Sequence, residues 1–316
     1  MVSKDFPQTL QQAITFFDNP DNCQAYMTQV RWPDGKVRCP TCDSEKVIYL
    51  AKQRRWKCYG KHPRAQFSAK VGTIFEDSAL GLDKWMMAMW LIANCKNGIS
   101  SCEMARHLGI MQKSAWHMLQ RIRLAMQAGS LSKKLCGNVE VDETFIGGLA
   151  RNRHSIKRKH EGTGGAGKVA VMGLLDRHSG EVRTKVLTST KRQELQREVY
   201  KHVELDSHVY TDAYVSYNGL NDDYFHMVIN HAEEYVNGNI HTNGIENFWC
   251  LLKRTIKGTY VSIEPFHLFR YLDEQSFRFN NRKLTDTERF LIVSSQILGR
   301  RLTYSELTGK TDSGQP

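Results

Sequence analysis

Three acidic residues that are far apart in the chain occupy positions suited to metal chemistry: Asp142, Asp212 and Glu246. The first two lie in short β-like runs, VEVDET and HVYTDAY, and the third lies near the start of a helical segment. Because aspartate is intrinsically disfavoured in a β-prone run, a functional reason for its presence is expected. If the two runs form neighbouring parallel strands, their aspartates meet at one edge of a sheet, and the helix can bring Glu246 beside them.

Clustered carboxylates raise one another's pKa unless cations lie between them. Hard oxygen ligands favour magnesium or manganese. Two such ions about 4 Å apart would stabilise the attacking and leaving oxygens of an in-line displacement at phosphorus. The three acids therefore predict two-metal phosphoryl transfer, although any one of them alone is more often a helix cap or a surface charge.

The third acid lies in HTNGIENFWCLLKR, which reads as an amphipathic helix. Its apolar residues recur at helical spacing and form one stripe: Ile245, Phe248, Trp249, Leu252 and Ile256. Glu246 and Lys253 are seven residues apart, so they share one flank and lie roughly 10 Å apart along the axis. Lys257 continues that flank. An ordinary helix with solvated charges is the alternative interpretation.

Three of the eight cysteines lie near one histidine and predict a zinc site: Cys39, Cys42, Cys58 and His62. The two ligand pairs are joined by a segment able to form a hairpin, as in tetrahedral zinc sites. Four protein ligands leave no open position, so the zinc would be structural. Cys-x3-His is a looser second pair than Cys-x2-Cys, and unrelated cysteines are the alternative. The nearby Arg54 and Arg55 predict contact with phosphate.

The overall composition favours a globular, DNA-binding protein. The 316 residues are 41% hydrophobic and 24% charged, and 44 Lys and Arg against 33 Asp and Glu leave a formal charge of +11. Such a surplus favours polyanionic partners, of which nucleic acid is the usual one. No apolar run approaches ~18 residues and the N-terminus lacks the pattern of a secretion signal, so we expect a cytoplasmic, nucleoid-associated protein with no membrane partner.

The segment SSCEMARHLGIMQKSAWHMLQRIRLAM has a small residue, a glycine turn and a second helix with apolar 3/4 spacing. This order is typical of a helix-turn-helix, although many plain helical hairpins share it. We expect the outer side of the second helix to reach a DNA groove through five polar residues: Gln112, Lys113, His117, Gln120 and Arg121. From residue 138 onward, short β-like runs alternate with helical segments, which predicts an α/β domain. Within it, RHSGE lies between two apolar runs and predicts a hairpin turn.

Over almost its whole length the chain resembles the ISXO-type transposases of bacterial insertion sequences, which are related to the Merlin elements. The motifs that carry the resemblance are RWPDGKVRCPTC, VGTIF, VEVDETFIGG, YTDAY, HTNGIENFWCLLKR and FRFNNRK. The resemblance implies a ribonuclease H-like core and a catalytic DDE triad on Asp142, Asp212 and Glu246. It also implies roles for Asn243 and Lys253, which match the family's associated asparagine and basic residue. The family's second zinc pair is usually Cys-x2-Cys, whereas here His62 stands at a different spacing.

The predicted organisation is an α/β chain with five regions. They are an N-terminal helical segment (1–35), a zinc ribbon (36–76), a helix-turn-helix region (77–130), the ribonuclease H-like DDE core (138–283) and a C-terminal helix and tail (284–316).

The function expected of such a chain is that of a DNA transposase using two magnesium or manganese ions and a structural zinc. It would bind the terminal inverted repeats of its element, hydrolyse a phosphodiester and join the freed 3′-hydroxyl to target DNA. Because two DNA ends must be paired, a homodimer on double-stranded DNA is expected. The alternatives are a zinc-ribbon DNA-binding regulator and a domesticated nuclease without strand transfer.

Overall fold

The computed structural model describes residues 6–127, 133–148, 167–229 and 241–309. The chain divides into two compact units, one formed by Met1–Met126 together with Lys283–Pro316 and the other by Gln127–Arg282. Most of the basic, glycine-rich segment LARNRHSIKRKHEGTGGAGK lies outside the described residues. Within the described ranges, no helix is both long and apolar enough to cross a membrane.

The first unit is mainly helical and carries a small sheet. Its helices are α1 (Leu10–Phe17), α2 (Pro20–Arg31), α3 (Leu82–Asn94), α4 (Ser101–Leu108), α5 (Gln112–Met126), α9 (Asp286–Ser295) and α10 (Tyr304–Thr308). Its strands are β1 (Val47–Leu50), β2 (Arg55–Cys58) and β3 (Gln66–Phe67), which form an antiparallel sheet in that order. In this small sheet Trp56 stacks on Phe67 and meets Trp32 edge-on, with ring centroids 5.8 and 5.2 Å away.

Local sequence signals explain the α4–α5 pair. The Ser100 hydroxyl caps α4 by accepting a hydrogen bond from the Glu103 N–H. Gly109 ends the helix with φ +62°, a left-handed conformation that glycine adopts without steric cost. Helix α5 begins three residues later, so the structure contains the two consecutive helices and glycine turn that the sequence predicts.

The second unit is a five-stranded mixed sheet with helices. The strands are β4 (Asn138–Ile146), β5 (Val169–Asp176), β6 (Val182–Val186), β7 (His208–Asp212) and β8 (Phe225–Ile229), and the helices are α6 (Arg192–His202), α7 (Asn243–Thr255) and α8 (Leu268–Asn280). The strand order is β6-β5-β4-β7-β8, and β4, β7 and β8 run parallel. Strands β4, β5 and β6 pair antiparallel, so the predicted RHSGE hairpin is confirmed.

The sheet carries a separate apolar layer on each face. Val139 and Val141 of β4 pack in one cluster with Leu195 and Val199 of α6. On the other face, residues of β5 and β6 pack against α7 and α8 in a cluster whose members include Ile245, Phe248 and Trp249. Because side chains alternate along a strand, Glu140 and Asp142 lie on the α7 face of β4. The alternation thus directs these two acids toward the helix that carries Glu246.

Candidate active site and zinc site

The first two predicted acids lie level with each other on adjacent parallel strands. The register of β4 and β7 pairs Glu140 with Tyr210. Two residues further along each strand stand Asp142 and Asp212, both of which are half-buried. The parallel neighbours expected from the sequence are therefore present, and both aspartates lie at the same edge of the sheet.

The third acid lies in the first turn of α7, where the Thr242 hydroxyl donates to its Oε1 at 2.8 Å. The structure brings Asp212 and Glu246 into electrostatic reach of Asp142. Burial raises the pKa of Asp142 to about 6, and the negative charges of Asp212 and Glu246 act in the same direction. Hydrogen bonds from the Glu143 N–H and the Trp249 indole partly offset this rise.

A fourth carboxylate adjoins the triad. Glu143, the residue after Asp142, has its pKa raised to about 9 by burial and then by the charges of Asp142 and Asp212. Sequence reasoning did not single out Glu143, because the strand period places its side chain on the opposite face from Asp142.

Trp249 connects helix α7 directly to the first acid. Its Nε1–H donates to Asp142 Oδ2 at 3.0 Å. Gly173 of β5 stands opposite Asp142 in the sheet, and a Cβ there would lie 2.5 Å from the Trp249 ring and 2.7 Å from Ile245. The sequence predicted Trp249 as a core residue; it is buried and in addition fixes one oxygen of Asp142. The absence of a side chain at Gly173 makes room for this contact.

The helix that carries Glu246 has the predicted amphipathic form. Ile245, Phe248, Trp249 and Leu252 are buried, and Ile256 packs at the edge of their cluster. On the other side, Asn243, Lys253 and Lys257 are exposed. Lys253 shares a flank of α7 with Glu246, and Lys257 lies in the π-helix Ile256–Tyr260 that follows; both lysines are available to a bound polyanion.

The predicted zinc ligands also converge. One ligand atom from each of Cys39, Cys42, Cys58 and His62 lies within 4.8 Å of all the others. Cys39 Sγ is 3.4 Å from His62 Nε2, and Cys42 Sγ is 3.6 Å from Cys58 Sγ. A tetrahedron with Zn–S bonds of ~2.3 Å has edges of about 3.7 Å, so this donor set fits zinc.

Metal binding at this site is also favoured by the state of one thiol. Burial raises the pKa of the Cys39 thiol, but hydrogen bonds from the backbone of Thr41 and Cys42 outweigh this effect and lower the pKa to about 7. Thiolate is the form that binds zinc. His62 lies with the three cysteines in this cluster of donor atoms, where it could supply the fourth ligand.

The predicted DNA-contact residues of the first unit divide into two groups. Arg54, Arg55, Gln112 and Lys113 are exposed. Arg54 pairs with Asp21 at 2.7 Å, and the Gln112 amide donates to Ser101 at 2.8 Å.

For the other group the prediction requires correction. Gln120 is fully buried and Arg121 is 6% exposed. The Arg121 guanidinium donates to the carbonyl oxygens of Ile74, Glu76 and Leu302, so it holds neighbouring loops together and does not face a groove. His117 is half-buried, with Tyr304 edge-on at 5.8 Å, and burial lowers its pKa.

Comparison with known proteins shows the family. The ISXO2-like transposase domain matches residues 134–280, and the transposase zinc-ribbon domain matches residues 19–60. The chain belongs to the ISXO2-like transposases, and its second unit is their ribonuclease H-like DDE domain. The zinc-ribbon match includes the three cysteine ligands and ends two residues before His62.

Two relatives agree with this assignment. A protein of Halobacterium salinarum, described as an uncharacterized protein in transposable element ISH50, is 29% identical to this chain. The match covers 72% of this chain and 80% of the length of that relative. An uncharacterized transposase-like protein of Haemophilus influenzae is 33% identical over 33% of this chain and 85% of its own. A simian T-cell lymphotropic virus intasome in complex with PP2A regulatory subunit B56 gamma matches 66% of each chain at 14% identity. The TM-score of this match is 0.22.

Proposed function

We propose that this transposase cuts the ends of its own element by metal-dependent hydrolysis of a phosphodiester and joins the freed 3′-hydroxyl ends to target DNA. One observation carries the proposal: the charges of Asp212 and Glu246 both act on Asp142, which shares its sheet edge with Asp212. These acids lie in a chain that belongs to a transposase family. Repulsion between these acids is relieved when cations bind between them.

Asp142, Asp212 and Glu246 would hold two magnesium or manganese ions, for which half-buried carboxylate oxygens are suitable ligands. When bound, such ions supply charge neutralisation at the reacting phosphate and activate the attacking oxygen. The Trp249 indole keeps one oxygen of Asp142 oriented, and the Thr242 hydroxyl does the same for Glu246. Lys253 on the exposed flank of α7 and Lys257 just beyond its end would hold DNA phosphates, and the exposed Asn243 at the start of that helix would contact the substrate.

Recognition of the terminal inverted repeats falls to the first unit in this proposal. Its exposed Arg54 and Arg55 lie on the zinc ribbon, and Gln112 and Lys113 lie at the start of the second helix of the helix-turn-helix. Phosphate contacts set the position of the protein on the duplex, whereas contacts with base edges set the sequence. Because transposition joins two ends, a homodimer on DNA is the expected active assembly.

The test uses a labelled element end, incubated with and without magnesium, for the wild type and for Asp142→Asn. The proposal predicts a nick at the element boundary only in the wild type with metal, followed by joined product when target plasmid is added. Metal-dependent nicking without joining would identify a nuclease that lacks strand transfer. Binding without nicking in any metal would identify a DNA-binding regulator and refute the proposal.

A further inference from the structure

A third carboxylate of β4, besides Asp142 and Glu143, is deeply buried beside the triad. Glu140 stands two residues before Asp142 on the same strand face and is 1% exposed. A buried carboxylate is unfavourable unless cations and hydrogen-bond donors surround it. A cation and a hydrogen-bond donor do so here: Arg177 Nε lies 2.7 Å from Oε1, and the Ile245 N–H donates to Oε2 at 2.9 Å. His241 Nδ1 lies 3.5 Å from Oε1 and 3.2 Å from Arg177 Nη2.

The contact with Ile245 makes Glu140 the cap of helix α7. Ile245 is the third residue of α7. Thr242, the N-cap residue, donates its hydroxyl to Glu246, and its side chain accepts no hydrogen bond from a backbone N–H of the first turn. Glu140 therefore caps the helix from the neighbouring strand, and its negative charge lies at the positive end of the helix dipole. Gly244 permits this approach, because a Cβ there would lie 2.9 Å from Glu140 Oε2.

Arg177 extends the contact to every element that carries a triad acid. Besides Glu140 on β4, its guanidinium covers the ring of Tyr210 at 3.9 Å, and Tyr210 precedes Asp212 by two residues on β7. The same guanidinium donates to the carbonyl oxygen of His241, just before α7. One cation thus touches β4, β7 and the lead into α7.

We propose that Glu140 and Arg177 are positioning residues that set Glu246 at the correct distance from Asp142 and Asp212. The proposal rests on the proposed function, since it assigns these two residues a role in assembling the divalent-metal site. Glu140 fixes the first turn of α7 through Ile245, the residue next to Glu246. Arg177 fixes the relative position of the two strands and that turn. Neither residue touches the reacting atoms.

A merely structural ion pair would also be sensitive to mutation, so the test needs a readout of the metal site. Glu140→Gln keeps the shape of the side chain and one acceptor while removing its charge. A matched control is Glu274→Gln. Glu274 is fully buried and paired with Arg278 on α8 in the same unit, and it belongs to a different cluster of contacts. Both variants are measured as full-length protein, well below the melting temperature of each.

The first measurement is Mn²⁺ binding by electron paramagnetic resonance in the absence of DNA. Changes in groups that orient metal ligands typically lower metal affinity 10- to 100-fold, so we expect a loss of at least ~10-fold for Glu140→Gln and no change for Glu274→Gln. The second measurement is cleavage of a labelled end against Mn²⁺ concentration. We expect the curve of Glu140→Gln to shift by the same factor and its rate to recover at saturating Mn²⁺. Arg177→Lys keeps a positive charge but cannot contact all three elements. The shift of its Mn²⁺ curve should therefore lie between that of the wild type and that of Glu140→Gln.

Wild-type metal affinity in Glu140→Gln, or an equal loss in Glu274→Gln, would overturn the positioning role and leave the proposed function intact. Failure of the wild type to cleave in any metal would count against the proposed function instead. In that case the Mn²⁺ binding comparison still decides whether Glu140 sets the carboxylate geometry.

Discussion

The hydrogen bond from Trp249 to Asp142 provides a test of how the site is built. Trp249→Phe removes the indole N–H and keeps an aromatic ring that fills most of the same space above Gly173. Because this donor lowers the pKa of Asp142, its loss raises that pKa further above its value of about 6. A carboxylate that holds its proton more tightly is a poorer metal ligand, and it also loses its fixed orientation.

The size of the effect follows from the type of bond. A hydrogen bond to a charged group is worth about 1.5–3 kcal/mol, which corresponds to roughly a 10- to 100-fold change in an equilibrium constant. We expect the magnesium concentration for half-maximal cleavage to rise by about that factor. Since the proposed function requires ionised Asp142 to bind the metal, the defect should be larger at pH 6 than at pH 8, where deprotonation is nearly complete.

The assay is cleavage of a labelled element end over a range of magnesium concentrations at both pH values. Trp85→Phe is the matched control, because the Trp85 indole donates to Ser78 at 3.2 Å in the first unit and Trp85 is as deeply buried. An unchanged magnesium dependence in Trp249→Phe, or an equal change in Trp85→Phe, would refute this account of how Asp142 is oriented.

Further predictions concern Asp142 and its neighbour Gly173, the zinc site and helix α5. Asp142→Asn should stabilise the metal-free protein above pH 6 by up to about 3 kcal/mol in urea denaturation, because the raised pKa of Asp142 makes its ionised form unfavourable in the fold; the gain should fade as the pH falls toward 4. Gly173→Ala should lower the free energy of unfolding by about 1–3 kcal/mol and reduce cleavage, since the added methyl group overlaps the α7 contact. Cys58→Ala should lose its zinc, as measured by elemental analysis, with loss of DNA binding. Arg121→Ala should lower the free energy of unfolding by about 2–4 kcal/mol, because it removes three hydrogen bonds to backbone carbonyl oxygens. Lys113 is exposed, so Lys113→Ala should leave stability unchanged and reduce the salt dependence of DNA binding by about one counterion.

Each of these predictions has a contradicting outcome. A destabilised Asp142→Asn at pH 8 would mean that the carboxylate is not strained by burial and its neighbours. Gly258→Ala, where a Cβ has nothing within 4 Å, controls for the general cost of replacing glycine, and an equal effect there would remove the steric argument for Gly173. Zinc retained by Cys58→Ala would exclude this thiol as a ligand. A stable Arg121→Ala with weakened DNA binding would restore the residue to the DNA-contact group.

The placement of the triad could be predicted from the sequence because two separate periodicities apply to it. Alternation along VEVDET and HVYTDAY assigns the aspartates to a strand face, and the 3.6-residue period of α7 assigns Glu246 to the edge of the apolar stripe. Parallel pairing of the two strands then places both aspartates at one sheet edge, and Glu246 acts electrostatically on Asp142. Each of these steps depends on local pattern and one simple topological assumption, which the sheet order bears out.

The residues that were missed or misplaced depend on contacts between elements distant in sequence. Helical periodicity placed Arg121 on the outer side of α5, but it carries no information about the loops at Ile74 and Leu302 that cover that side. In the same way, period two shows that Glu140 shares a face with Asp142. Only the position of Arg177, 37 residues later, shows that Glu140 is buried and paired. Trp249 was recognisable as a core residue, but not as a hydrogen-bond donor.

The most direct test of the central claim is the location of manganese in crystals of the protein bound to an element end, by anomalous scattering. The account predicts two manganese peaks held by the carboxylates of Asp142, Asp212 and Glu246. Anomalous peaks elsewhere, or a DNA complex in which these three side chains hold no ion and remain apart, would contradict it.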